Sequence, residues 1–203
     1  MQLTIQTPEF DQFLEIPKSL GDWGDDEFFE FCQANRDVRI ERTAKGEIVI
    51  MPLAGGYSGF ESGEAFAQLR NSAIHDKTGI AFDSSTGFRL PNGGVRSPDA
   101  AWLRLERLRE LNRRQKEQFI PLCPDFLIEV ASPSDRFSGL HEKMAEYREV
   151  GLPLGLLILP KTRQVEIYTL AEIRTLESPP SVSADPLLPG FQLDLSLIWD
   201  TPF

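Results

Sequence analysis

The sequence predicts one layered domain of the α/β or α+β class, a mixed β-sheet with helices packed outside it. Three observations lead there. Short runs of alternating apolar and polar residues are interleaved with stretches of helical periodicity. A strongly apolar run, Asp125–Ala131, is followed by a helical stretch at 140–150 and a second apolar run at 154–159. That is the order of a strand-helix-strand crossover, which is right-handed. Nothing between residues 1 and 203 reads as a repeat, a low-complexity tract or a domain boundary.

The elements follow in order. The first ~24 residues read as an N-terminal arm, with Leu14, Ile16 and Pro17 available to dock. Asp25 and Asp26 then open a helix carrying Phe28, Phe29 and Phe31 and closing near Asn35. Val38–Thr43 alternates, Lys45-Gly46 turns, and Glu47–Met51 returns, which predicts a hairpin. Gly55-Gly56 breaks the chain. A helix from Ser58 to about Lys77 follows, with Phe60, Ala67, Leu69 and Ile74 expected on its buried side and Gly79 as its stop. Strands are expected at Ile80–Asp83, Gly87–Pro91 and Ser97–Leu103, with a turn at Asn92-Gly93-Gly94. Arg104–Gln118 is the most basic segment and reads as a solvated helix and loop or a DNA-contact strip. Its candidate contacts are Arg104, Arg107, Arg113 and Arg114, with Arg136 further on. After the crossover unit, Val165–Tyr168 is a strand. The Pro- and Ser-rich remainder reads as coil, and residues 175–203 form a tail packed on the core through Leu193, Leu195, Leu197 and Trp199.

Composition bounds the function. The chain has 203 residues, 41% apolar and 26% charged, which are globular proportions. No apolar run reaches the ~18–20 residues that span a bilayer. Met1-Gln-Leu-Thr-Ile-Gln lacks the basic-then-apolar order of a secretory signal. Two distant cysteines, Cys32 and Cys123, give no disulfide framework and are expected as buried free thiols in a reducing cytoplasm. A net charge of −10 weighs against passive nucleic-acid binding, which needs a basic footprint. It does not exclude an enzyme that meets DNA through a metal ion.

Several site types are absent from the sequence. There is no phosphate-binding G-x-x-x-x-G-K-[ST] or G-x-G-x-x-G run. Ser58 misses the nucleophile-elbow spacing, and two histidines with two scattered cysteines give no zinc pattern. What stands out is acid inside apolar strand. Glu129 sits within Phe126-Leu-Ile-Glu-Val-Ala131, where a carboxylate is costly to bury unless paired or metal-bound. Asp99 opens another apolar strand after Ser97-Pro98. Acids on neighbouring strands can place oxygens on one hard cation such as Mg²⁺, which commonly takes one or two protein carboxylates. Asp125 is a decoy, because four residues of strand span ~13 Å and keep it from sharing an ion with Glu129. It reads as a strand-entry residue. Lys143, on the helix after the Glu129 strand, shares a helix face with Tyr147 and can reach over the acids.

These residues carry a family resemblance. Asp83-Ser-Ser-Thr-Gly87-Phe-Arg-Leu-Pro, Ser97-Pro98-Asp99-Ala-Ala-Trp, Phe126-Leu-Ile-Glu129-Val-Ala-Ser132-Pro133-Ser134-Asp135 and Lys143-Met-Ala-Glu-Tyr147-Arg-Glu-Val-Gly151 together resemble the Uma-type restriction endonuclease family of the PD-(D/E)XK nuclease superfamily. The resemblance implies a restriction-endonuclease-like fold, a central mixed sheet of about four strands flanked by helices. It implies a metal-dependent DNA endonuclease using Mg²⁺ (or Mn²⁺) and acting as a homodimer. Pro98-Asp99 then stands for the PD element and Glu129 for the acid, with the Val130 carbonyl as a further metal ligand. The superfamily's lysine would fall at position 131, where this chain has Ala131, so Lys143 takes that role. Glu64 is a possible additional acid, and Tyr147 a possible additional site residue. One departure is Leu154–Pro160, where relatives carry an acid before the proline. The rival reading is a dimeric nuclease-fold module without chemistry, motivated by the net charge and Ala131. A regulatory DNA-binding protein would need a basic recognition helix that the sequence lacks.

Overall fold

The computed structural model describes residues 23–133 and 135–203, so the N-terminal arm up to residue 22 and Ser134 lie outside the described residues. The element order is α1 (Asp25–Ala34), β1 (Arg39–Arg42), β2 (Ile48–Met51), α2 (Gly56–Asp76), β3 (Gly79–Asp83), β4 (Phe88–Arg89), β5 (Val95–Arg96), β6 (Ala100–Arg104), α3 (Leu105–Arg109), α4 (Arg113–Glu117), β7 (Phe126–Val130), α5 (Phe137–Glu149), β8 (Leu154–Leu159), β9 (Gln164–Thr169), β10 (Ile173–Glu177), β11 (Ser181–Ser183), β12 (Gln192–Asp194) and α6 (Ser196–Trp199).

The central sheet has six strands in the order β10-β9-β8-β7-β6-β3, more than the four or so expected. It is mixed. β7 and β8 run parallel, joined by α5 as the crossover, and the other neighbours are antiparallel. Strand alternation divides the core into two faces. Phe126, Ile128 and Val130 pack with Ala65, Leu69, Trp102, Leu193 and Leu195 on the α2 face. Leu127, Ala101, Leu103 and Leu157 pack with Met144 and Tyr147 on the α5 face. A second sheet, β2-β1-β5-β4, carries the expected hairpin and rests on α1 through Phe28, Phe31, Ile40 and Val95. Among the described residues, no helix is long and apolar enough to cross a membrane.

Five expectations are corrected. The buried face of α2 is Glu61, Ala65, Leu69 and Ala73, while Ala67 and Ile74 are exposed. Small side chains let the helix approach the sheet, so the inward stripe follows alanine rather than the largest apolar residues. The helix stops at Lys77, which adopts the left-handed conformation (φ 59°), and Gly79 belongs to β3. The segment after Tyr168 is largely strand. β10 extends the central sheet, and β11 pairs with β12 to seat Val182, Leu193 and Leu195 in the core. The alternation ends at Leu195, because α6 turns Leu197 outward and Ile198 inward. Finally, Cys123 is buried but Cys32 only partly so; burial pushes both thiols up to about 12, leaving them unreactive.

Two glycines test this packing. A Cβ at Gly79 would meet the Trp102 ring and the Leu103 carbonyl oxygen, whereas one at Gly63, inside α2, meets nothing within 4 Å. Urea unfolding should show Gly79→Ala destabilised by ~1–3 kcal/mol through overpacking and Gly63→Ala stabilised by ~0.5–1 kcal/mol through helix propensity. Equal effects would contradict the close approach of β3 to β6.

Candidate active site

The register of the central sheet brings the two predicted acids together. Ala100 pairs with Ile128 and Ala101 with Leu127, so one further step sets Asp99 opposite Glu129. Residues directly opposed across antiparallel strands lie ~5 Å apart and project to the same face. That face is the α5 side, because Glu129 follows the parity of Leu127. Asp99 also ties the strand ends together: its Oδ2 accepts a hydrogen bond from the Val130 amide at 2.9 Å. Arg39 Nη1 stands 3.5 Å from its Oδ1, and Arg39 Nη2 donates to the Ser97 carbonyl at 2.7 Å.

Glu129 is 3% exposed and Lys143 9% exposed. Lys143 Nζ lies 2.7 Å from Glu129 Oε1 and 3.0 Å from Oε1 of Glu41, a residue only 2% exposed. The Tyr147 hydroxyl donates to Glu129 Oε1 at 3.4 Å. Lys143 and Tyr147 therefore do share the inward face of α5. Lys143 bridges Glu129 to Glu41, and no contact joins it to Asp99.

Glu41 is the residue that sequence reasoning missed. It sits on β1, two residues from Arg39 and so on the same face of that strand. Its Oε1 also accepts from the Ser97 amide at 2.8 Å, and its Oε2 from Arg96 Nη1 at 3.1 Å. Arg96 in turn donates through Nε to Glu146 Oε2 on α5 at 2.6 Å. The chain Glu129–Lys143–Glu41–Arg96–Glu146 thus ties the central sheet, α5 and the second sheet into one buried polar network. The only signal in sequence was a glutamate in an alternating hairpin strand, which reads as an ordinary solvated position.

The electrostatics follow from these neighbours. Burial, with the like charges of Asp99 and Glu41, pushes Glu129 up to about 7 against the pull of Lys143. Burial also opposes charge on Glu41, but Lys143, Arg96 and the Ser97 amide outweigh it and hold that carboxyl below its usual range. Burial disfavours the Lys143 ammonium, yet Glu129 and Glu41 more than restore it, and its pKa rises. Burial raises the Tyr147 hydroxyl further, so it stays a neutral donor.

The other predicted residues lie elsewhere. Asp125 enters β7 and accepts from the Arg104 amide and from Arg107 Nη1, both at 2.9 Å. Arg104 ends β6 at the far end from Asp99, ~17 Å away at ~3.3 Å per residue, and Arg107 follows it on α3. Arg113 pairs with Glu117 and Arg114 with Asp26, both on the exposed surface. Arg136 is exposed at the start of α5. Glu64 is half-buried on α2 and accepts from Gln68 Nε2 at 3.0 Å.

Among the described residues, no group of three or more acidic, histidine or cysteine side chains converges as a metal cage. The oxygens the acid pair offers are the carboxylates of Asp99 and Glu129; the Val130 carbonyl is the further ligand that the family resemblance implies. This hard-oxygen set suits a cation that keeps several waters, as Mg²⁺ does. The like charge that raises Glu129 is also what a dication would relieve.

The family model named Uma2, described as "Putative restriction endonuclease", matches residues 25–196. A crystal structure of "a putative nuclease belonging to DUF820" from Anabaena variabilis ATCC 29413 is similar in fold. Its TM-score is 0.72 at 18% identity, and the match covers 90% of this chain and 98% of that one. No curated protein matches the chain.

The network predicts a strong and asymmetric response to substitution. Lys143→Met leaves two buried carboxylates without their shared cation and should cost ~3–5 kcal/mol in urea unfolding. Adding Glu41→Gln and Glu129→Gln to it should recover much of that loss; a cost below ~1 kcal/mol for the single variant would contradict the network. A carboxyl whose pKa is higher folded (about 7) than unfolded (4.5) takes up a proton on folding. Its contribution is complete below 4.5 and lost as pH rises through about 7. With chelator present, Glu129→Gln should therefore gain stability relative to the unsubstituted chain between about pH 5 and pH 8.

Proposed function

The chain belongs to the Uma2 family, and on that premise we propose that it is a metal-dependent endonuclease that hydrolyses phosphodiester bonds in DNA. The observation that carries the reading is the opposition of Asp99 and Glu129 across β6 and β7, with Lys143 Nζ 2.7 Å from Glu129.

In this reading Asp99, Glu129 and the Val130 carbonyl would hold Mg²⁺ or Mn²⁺. Such an ion, when bound, would supply activation of water and neutralisation of charge building on the phosphate. The protein's own groups hold the geometry. The Val130 amide and Arg39 fix the Asp99 carboxylate. Tyr147 and Lys143 orient Glu129. An ammonium has three donors. Two of those on Lys143 face Glu129 and Glu41, and the third is the group we assign to orienting the attacking water or a phosphate oxygen. Glu41 keeps Lys143 in place and charged. The reading extends to a homodimer in the cytoplasm.

The rival, a nuclease fold without chemistry, draws on the net charge of −10 and on Ala131. Plasmid, duplex and single-stranded DNA incubated with Mg²⁺ or Mn²⁺, with a chelator control, separates the two. Cleavage is expected, falling at least about a hundredfold in Asp99→Asn and Glu129→Gln, with calorimetric Mn²⁺ binding lost in parallel. Absence of both cleavage and metal binding in the unsubstituted chain would leave the rival standing.

A further inference from the structure

A cavity of about 510 Å³ opens beyond the ends of β7 and β8, lined by Tyr57 and Glu61 of α2, Phe137 and Leu140 of α5, and Trp199 and Phe203 near the end of the chain. We propose that it is a nucleobase pocket, seating one unpaired base that bears an exocyclic amino group, from the nucleic acid whose backbone the acidic site cleaves. The identity of that base's source rests on the nuclease reading; the pocket itself does not.

Its place supports this. Ala131, Ser132 and Pro133 line the cavity and lead directly off Glu129 and Val130. On the other wall, Leu140 precedes Lys143 by one helical turn of α5. The cavity therefore borders the acidic site along two separate elements.

Its chemistry supports it too. Tyr57 and Phe203 stack with centroids 5.2 Å apart and planes within 2°, and Phe60 meets Phe203 edge-on. Tyr57, Phe137 and Phe203 are exposed although large and apolar. Aromatic faces beside a backbone-handling groove are how proteins hold unpaired bases, because every base has a π-face to stack.

Glu61 provides the polar handle. It is only 8% exposed, yet among the described residues it has no hydrogen-bond or ion-pair partner. Its carboxyl oxygens are not themselves sealed, so they stay reachable from the cavity, where a ligand donor can meet them. The cavity's other acids are engaged: Asp135 Oδ2 accepts from the Ser132 amide at 2.7 Å, and Asp200 pairs with Arg163. Burial raises the Glu61 pKa, a cost that a hydrogen bond donated by a ligand would offset. A carboxyl oxygen accepts from the amino group of cytosine, adenine or guanine, and thymine has no such group.

The test uses the full chain with chelator present, so that no cleavage intervenes, and ligand-observed NMR titration with cytidine, adenosine, guanosine, thymidine and tetramethylammonium. Saturable binding of at least one amino-bearing nucleoside is expected, with thymidine weaker. Tyr57→Ala and Glu61→Ala should each weaken it about tenfold, while Glu61→Gln, which keeps a carbonyl acceptor, should lose less. Thermal melts establish that each variant is folded. No saturable nucleoside binding, nucleoside binding indifferent to both alanine variants, or tetramethylammonium binding instead would overturn the proposal. Because the readout needs neither metal nor cleavage, a chain that binds nucleosides but cuts nothing would sink the nuclease reading alone. One that cuts DNA but binds no nucleoside would sink the pocket alone.

Discussion

One buried ammonium holds the candidate site together. Lys143 reaches from α5 into a space shared by Glu129 of the central sheet and Glu41 of the second sheet, 2.7 and 3.0 Å away. All three side chains are nearly sealed from water. Neither acid could stay charged there alone, and the lysine could not stay charged without them. Each therefore fixes the position of the others, and the elements that carry them are fixed in turn.

That mutual dependence explains the layout. The central sheet is a hydrophobic body whose strand order places Asp99 and Glu129 side by side. The second sheet brings Arg39, Glu41 and Arg96 over the same end, and α5 closes the gap with Lys143, Glu146 and Tyr147. The arrangement is not one that maximises stability, since buried ion pairs seldom beat well-packed apolar side chains. A chain that keeps such a network at its strand ends retains charge where chemistry on a phosphate would use it.

Net charge reads differently once the site is seen. The value of −10 describes the surface as a whole. Several basic residues pair with acids of the same chain: Arg107 with Asp125, Arg42 and Arg89 with Asp25, and, on the exposed surface, Arg114 with Asp26. Arg42 also lies 4.9 Å from the ring centre of Phe28, so it helps seat α1 against the second sheet. In the proposed reading, approach to a polyanion would depend on the site's own cations, and not on a broad basic face.

The sequence by itself determined most of the order of elements down to Tyr168, though not the short β5 or the split into α3 and α4, because periods of 2 and 3.6 are local properties that very short elements do not display. It also determined that Glu129 was anomalous, since an acid amid Phe126, Leu127, Ile128 and Val130 has no cheap local home. The rise of a strand was enough to separate Asp125 from Glu129. Tertiary structure alone decided what surrounds them. Glu41 meets Lys143 across 102 positions of sequence and Arg96 across 55. No local pattern encodes such a meeting, because an alternating hairpin strand looks the same whether its polar face meets water or another layer. The inward face of α2 was hidden for a related reason: close packing on a sheet selects small residues, and a stripe of Ala65, Leu69 and Ala73 behind Glu61 announces itself only once the sheet is there to receive it.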